Sequence, residues 1–265
     1  MTGKPANPRI RDFSRAPVFW AALDGPRRTF ASGTGDVADL TGCAEAGVRA
    51  SGATWGTSPF GPCLTFDGTA SGYAEFGSVD KLPQGTAAYT IACTCLATWS
   101  NPNVWQDIVQ YGSPQHYAGI GQANAVLMAN MYNSWVQGPD TSVGVWRRVA
   151  VTWGQGSPSP QRIYVDGRLA AEAASVGGSV EGKTLRLGGP VIGTDSYFKG
   201  SIADVQVFDY LFTAEQALAD AADPWRRLRE RPRADMVLAS AGASSSRGRT
   251  PRWIPPRRHV RARAW

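Results

Sequence analysis

Trp146-Arg-Arg-Val-Ala-Val-Thr-Trp153, followed after a short gap by Gln161-Arg-Ile-Tyr-Val-Asp-Gly167, is the stretch on which the fold turns. Side chains of an extended chain alternate between two faces, so Trp146, Arg148, Ala150 and Thr152 fall opposite Arg147, Val149, Val151 and Trp153. The run is rich in β-branched and aromatic residues and is short for a helix. Asp166-Gly167 supplies a two-residue turn of the kind that needs positive φ, whose twist matches that of two paired strands. Arg168–Ala173 is then the return strand of a hairpin.

The alternation continues on both sides. Tyr89-Thr-Ile-Ala-Cys-Thr-Cys-Leu-Ala-Thr-Trp99 sets Tyr89, Ile91, Cys93 and Cys95 on one face and Thr90, Thr94 and Thr98 on the other. Val18–Leu23, Cys63–Phe66, Tyr73–Phe76, Gln106–Tyr111, Tyr117–Gly121, Ala125–Met131, Thr184–Leu187 and Ser201–Phe208 read as further short strands. The Gly/Thr/Ala-rich passage from Leu23 to Pro62 yields no assignment. Thr213-Ala-Glu-Gln216 matches a capping box, opening a helix over Ala214–Ala222 that Asp223-Pro224 stops. Many short strands and one late helix predict an all-β antiparallel sandwich over 18–223. An extended arm, 1–17, precedes it, and an Arg/Pro-rich arm, 224–265, follows.

The 265 residues, 43% apolar with 10 Trp, suffice for one large core. The net charge of +6 is unevenly spread. Lys4, Arg9, Arg11 and Arg15 against Asp12 give the first 20 residues +3, and twelve arginines against Glu230 and Asp235 give 226–265 a charge of +10. Between them lie 11 cations and 18 anions, −7. Basic ends on an acidic body point to an anionic partner, either nucleic acid or an acidic face of a neighbouring subunit. Cys93 and Cys95, two apart on one strand, are badly placed to bridge each other and read as small core residues. Without a second ligand pair they imply no metal, and no cofactor is expected. No apolar run reaches 18 residues, so no membrane helix is expected, and Met1–Pro8 lacks the apolar core of a secretory signal.

Four segments, in order, resemble the laminin G-like jelly-roll family, a branch of the concanavalin A-like lectin/glucanase superfamily. They are Leu64-Thr-Phe-Asp-Gly68 with Tyr73, Tyr89-Thr-Ile91 leading to Trp99, the Trp146–Gly167 hairpin, and Phe198–Tyr210 with Thr213–Gln216. The resemblance covers Cys63 to Asp220 and implies a jelly roll. The ending Ala221-Ala-Asp-Pro-Trp-Arg-Arg-Leu-Arg-Glu-Arg-Pro232 is similar to that of tailed-bacteriophage proteins of this fold. It implies a structural virion protein: a decoration, head-fibre or tail-associated component, assembled in the host cytoplasm.

The superfamily also contains glycoside hydrolases, whose retaining chemistry needs two carboxylates about 5 Å apart. The family's E-x-D-x-E strand is missing here. Asp204 and Asp209, an odd spacing apart, fall on opposite faces and read as a turn or edge acid and a solvent-facing one. With His116 and His259 as the two histidines, a Ser/His/Asp triad is poorly supplied, and no enzyme is expected. Trp105, Tyr117, Tyr132 and Trp135, with Asn103 and neighbouring amides such as Gln106 and Asn130, offer rings for a sugar's apolar face and amides for its hydroxyls. The same aromatics would also suit a sandwich core or a subunit interface.

The C-terminal arm reads as an extended docking segment, with Arg226, Arg227, Arg229, Arg257 and Arg258 as charge and Trp225, Trp253 and Trp265 as anchors. Its prolines prevent an amphipathic membrane helix and lower the entropy of ordering. Other virion proteins and further copies of the chain are the expected partners, with host polysaccharide at the loops. Nucleic acid is disfavoured and a membrane is not expected. A stand-alone carbohydrate-binding module is the alternative reading.

Overall fold

In the computed structural model, the described residues are 16–23, 37–41, 44, 47–98, 104–123, 126–131, 134–140, 142–154, 160–174, 178–191, 193 and 196–225. The chain divides into two units, Met1–Arg226 and Arg227–Trp265, and every described residue lies in the first. The strands are β1 (Phe19–Ala22), β2 (Val48–Arg49), β3 (Ala53–Ser58), β4 (Gly61–Asp67), β5 (Ala74–Phe76), β6 (Tyr89–Ala97), β7 (Gln106–Ser113) and β8 (His116–Ala123). They continue as β9 (Val126–Met131), β10 (Ser134–Asp140), β11 (Trp146–Trp153), β12 (Gln161–Val165), β13 (Arg168–Ala173), β14 (Thr184–Leu187) and β15 (Lys199–Phe208), before helix α1 (Ala214–Ala222).

All the strand pairings are antiparallel, and they build two sheets. The eight-stranded sheet runs β13-β12-β11-β6-β15-β4-β3; β1 joins it against Asp204–Val207, while β4 pairs with Lys199–Ile202. The seven-stranded sheet runs β10-β9-β8-β7-β14-β5-β2. The core between them takes Tyr89, Ile91, Cys93 and Cys95 from β6, Val149, Val151 and Trp153 from β11, and Ile120, Ala129 and Tyr111 from the facing sheet. Trp153 stacks on Tyr89, whose ring meets Tyr111 edge-on across the sandwich.

The hairpin closes as the sequence predicts, with φ of 50° at Asp166 and 79° at Gly167. Gly167 is required twice over: a Cβ there would also lie 2.7 Å from the Leu218 Cα of α1, so the helix rests directly on the turn. The capping box forms, with Thr213 Oγ1 accepting from the Gln216 amide and Gln216 Oε1 accepting from the Thr213 amide. Helix α1 covers the outer face of the eight-stranded sheet, sealing a second apolar layer of Ala92, Ala150, Tyr164, Phe208, Phe212 and Ala217.

Beside that layer lies a buried ionic cluster. Arg148 Nη1 donates to Asp204 at 2.6 Å and Arg148 Nε to Asp220 at 2.8 Å, so β11, β15 and α1 meet at one guanidinium. The Trp20 indole N–H donates to Asp204 at 2.6 Å and Gln206 Nε2 at 2.9 Å, while Arg148 Nη1 also reaches Thr94. Burial works against the Arg148 charge, but Asp220 and Asp204 outweigh it and raise its pKa. Asp204 is thus neither a turn nor an edge acid. It sits buried on a central strand beneath the helix, and this corrects the sequence reading.

Candidate functional site

The outer face of the seven-stranded sheet carries no helix among the described residues and gathers polar groups. Its middle row follows from the register: Gln110 of β7 opposes Gly119 of β8, Gly119 opposes Asn130 of β9, and Asn130 opposes Trp135 of β10. The flanking residues Val109, Ala118, Ala129 and Val136 point into the core, so this row points away from it. In the next row Asp107 of β7 opposes Gly121, which opposes Met128. Tyr117, on β8 two residues before Gly119, shares the face.

Two glycines shape this surface. Asn130 Nδ2 reaches across the whole of β8 to donate to Asp107 Oδ1 at 3.0 Å. It can do so because Gly119 and Gly121 present no side chains in between. A Cβ on Gly119 would lie 2.3 Å from the Val109 carbonyl oxygen and 2.8 Å from Asn130 Oδ1. A Cβ on Gly121 would lie 3.1 Å from the Trp105 indole nitrogen, so the Trp105 ring lies against that glycine. Gly119→Ala is therefore expected to break the Asn130–Asp107 bond and cost about 1–3 kcal/mol, as overpacking does. Denaturant unfolding beside wild type checks it; an unchanged midpoint would contradict the crossing of β8.

Asp107 is 2% exposed and accepts from both the Trp105 indole N–H, at 2.9 Å, and Asn130. Burial pushes its carboxyl up to about 6, against the lowering effect of those two donors. Asn130, 4% exposed, leaves Oδ1 without a hydrogen-bond partner among the described residues. Trp135 is 62% exposed, an indole standing in solvent beside a buried amide. The segment before β15 closes one flank: the Val191 amide donates to Gln110 Oε1 at 2.6 Å and the Asp107 amide to the Ser196 carbonyl at 2.8 Å. Arg186 of β14 lies over the Tyr73 ring and is paired with Glu75, so its charge is already matched.

The structure therefore brings Trp105, Tyr117 and Trp135 to one face. Trp105 and Tyr117 are half-buried, and none of the three fills the core. Tyr132 and Asn103 lie outside the described residues. Gln106, grouped with them from sequence, turns inward instead, where Gln122 donates to it. Asp107, Gln110, Gly119 and Gly121 were not singled out by the sequence reading. The Gly-x-Gly within a strand, which marks a close approach of neighbouring groups, was the available signal. His116 Nδ1 faces Ser179 Oγ at 2.9 Å and Glu181 at 3.8 Å. Of the arm residues, Trp225 is seated on the body, its ring 5.9 Å from that of Trp20. Arg226, Arg227, Arg229, Trp253, Arg257, Arg258 and Trp265 lie outside the described residues.

Two antiparallel sheets with a polar, aromatic-lined outer face define a lectin-like β-sandwich. A family model of the concanavalin A-like lectin/glucanases superfamily matches residues 67–217, and the chain belongs to that superfamily. Among curated proteins, the rat "Sushi, von Willebrand factor type A, EGF and pentraxin domain-containing protein 1" is 29% identical over 144 residues. That match covers 47% of this chain but 4% of the rat protein. Solved structures of the same fold include the botulinum neurotoxin serotype G binding domain, at TM-score 0.62 and 10% identity over 78% of this chain and 51% of that one. Domain 4 of the Geobacillus stearothermophilus arabinanase AbnA aligns at TM-score 0.54 and 14% identity, over 69% of this chain and 91% of that one. Trypanosoma rangeli sialidase aligns at TM-score 0.55 and 14% identity, over 77% of this chain and 32% of that one.

Proposed function

We propose that this chain is a non-catalytic glycan-recognition sandwich, displayed on a bacteriophage particle as a decoration, head-fibre or tail-associated component. The observation that carries the glycan reading is the outer-face row, where exposed Trp135 stands beside the Asn130 amide and the Trp105–Asp107 pair. An indole covers the apolar face of a sugar ring while amides and a carboxylate take its hydroxyls. The fold relative from the arabinanase was solved in complex with arabinotriose, which supports a sugar as ligand. A binding rather than hydrolytic role is supported by the surroundings of Asp107. Its carboxylate is held by an indole N–H and an amide N–H, whereas retaining glycoside hydrolysis works with two carboxyls set about 5 Å apart.

Trp135→Ala tests the reading with little risk to the fold, because the ring is exposed. On a glycan array the variant is expected to lose about tenfold or more in affinity, since one stacked aromatic anchor is worth roughly 1–3 kcal/mol. Equal retention of every bound glycan by variant and wild type would remove this face from consideration. The virion assignment rests on the Asp223-Pro224-Trp225 ending and the arginine-rich segment after it. A chain ending at Arg226 keeps Trp225 on Trp20 and is expected to fold but not to enter particles.

A further inference from the structure

The structure shows where the two basic ends meet the body. Residue 16 leads into β1: the Val18 amide just before the strand donates to the Val207 carbonyl at 2.8 Å, and Trp20 within it pairs with Gln206. At the other end, Gln206 Nε2 donates to the Pro224 carbonyl at 3.1 Å and Trp225 packs against Trp20. The chain therefore enters and leaves beside the same pair, Trp20 of β1 and Gln206 of β15. Residues 1–15, at +3, and 226–265, at +10, are tethered to one corner.

That corner belongs to the helix side of the sandwich. Trp20 points away from the core to Asp204, under α1, whereas Trp105, Asn130 and Trp135 lie on the outer face of the opposite sheet. The helix side carries exposed Leu169 of β13 and Leu218 of α1, at 52% and 56% exposure. Tyr164, which opposes Leu169, packs under the helix, and the Gly167 turn touches Leu218, so the two leucines share one neighbourhood. Exposed Glu215 lies one turn before Leu218 on α1, exposed Asp209 follows β15, and exposed Arg168 is the neighbour of Leu169. The helix start and Thr213 lower the Glu215 pKa, keeping it charged. Asp166 and Glu172 also lie here but are already matched by Arg147 and Arg162.

We infer that the helix side is a docking face for a second copy of this chain, each copy laying its two basic ends on the acidic body of the other. Residues 16–225 carry 11 cations against 18 anions, −7, and the ends of the other copy carry +13. The charges are complementary between copies, and a two-fold arrangement lets the same patch serve on both sides. Because both ends leave one corner, binding of the first raises the effective concentration of the second. The outer face of the seven-stranded sheet lies on the opposite side of the sandwich, so pairing and ligand capture are compatible.

The test is sedimentation of the full chain, with no glycan and no particle present, so its outcome is separate from that of the glycan and virion readings. A dimer is expected at low salt, dissociating at about 1 M salt, where the screening length falls to about 3 Å. A chain ending at Arg226 should remain monomeric. Leu218→Lys, at an exposed position, removes the apolar contact and repels the basic ends, and should weaken the full-chain dimer about tenfold or more. A full chain that stays monomeric at low salt overturns the inference, as does an Arg226-terminated chain that dimerises as tightly as the full one. Monomers that instead assemble on added duplex DNA would assign the basic corner to nucleic acid.

Discussion

Arg148→Met is expected to cost about 3–5 kcal/mol, a large part of a typical domain's stability. The guanidinium is the shared cation of Asp204 and Asp220, both buried, and its removal leaves two carboxylates without their ion pair in a dry site. Methionine fills much of the same volume, so the loss is electrostatic rather than a cavity. The damage should concentrate on α1, because the Arg148–Asp220 bond ties the helix to β11 and Asp204 also anchors Trp20 of β1. Acid that neutralises the freed carboxyls should narrow the gap from wild type. Urea unfolding at neutral and acidic pH measures both effects. A variant with wild-type stability at neutral pH would show that the cluster holds nothing together. Asp204→Asn with Asp220→Asn in the Arg148→Met background should recover part of the loss, since a buried ion pair replaced throughout by neutral groups is often nearly neutral in energy.

The same cluster shows why part of the fold was legible in the sequence and part was not. The Asp166-Gly167 turn and the Thr213–Gln216 cap were readable because each is decided within a few residues by backbone geometry. The alternation in β6 and β11 was readable because one face of each strand meets a single continuous core. Asp204 was misread because its environment comes from partners far away in sequence. Arg148 is 56 residues away and Trp20 is 184, and α1 converts an outer face into an interior one. An acid on a strand normally signals solvent; here a helix later in the chain reverses that.

The strands in the passage before Pro62 escaped for a different reason. Ala53–Ser58 is an edge strand of mixed burial, Ala-Thr-Trp-Gly-Thr-Ser, and a weakly patterned edge gives a weak period-2 signal. The outer-face site was legible only in its aromatics. Trp105, Tyr117 and Trp135 announce themselves by residue type, whereas Asp107 matters because two glycines let Asn130 cross a strand to reach it. That crossing depends on register between β7, β8 and β9, which local pattern does not specify.

Asp107→Asn is expected to stabilise the protein at neutral pH and to do nothing in acid. Burial lifts the Asp107 carboxyl from an ordinary 3.8 to about 6 in the folded state. A carboxyl with a raised folded pKa binds its proton more tightly in the fold than in the unfolded chain. Its favourable contribution is therefore complete below the unfolded value and is lost as pH rises through about 6. A separation of about two units corresponds to about 3 kcal/mol, carried as a penalty by the wild type above about pH 7. The asparagine carries no such penalty. Its oxygen can still accept from the Trp105 indole, and its amide N–H can donate to Asn130 Oδ1, which lacks a partner among the described residues. The melting temperature should rise by roughly 6–12 °C at about pH 8 and by almost nothing at about pH 4. An equal shift at both values would mean that packing, not charge, separates the two proteins. If the glycan reading is right, the stabilised variant should hold its sugar less tightly, because a carboxylate accepts a hydroxyl's hydrogen bond more strongly than an amide does. Stability retained at neutral pH together with weaker retention of sugar is the trade expected where a costly buried charge is kept for binding.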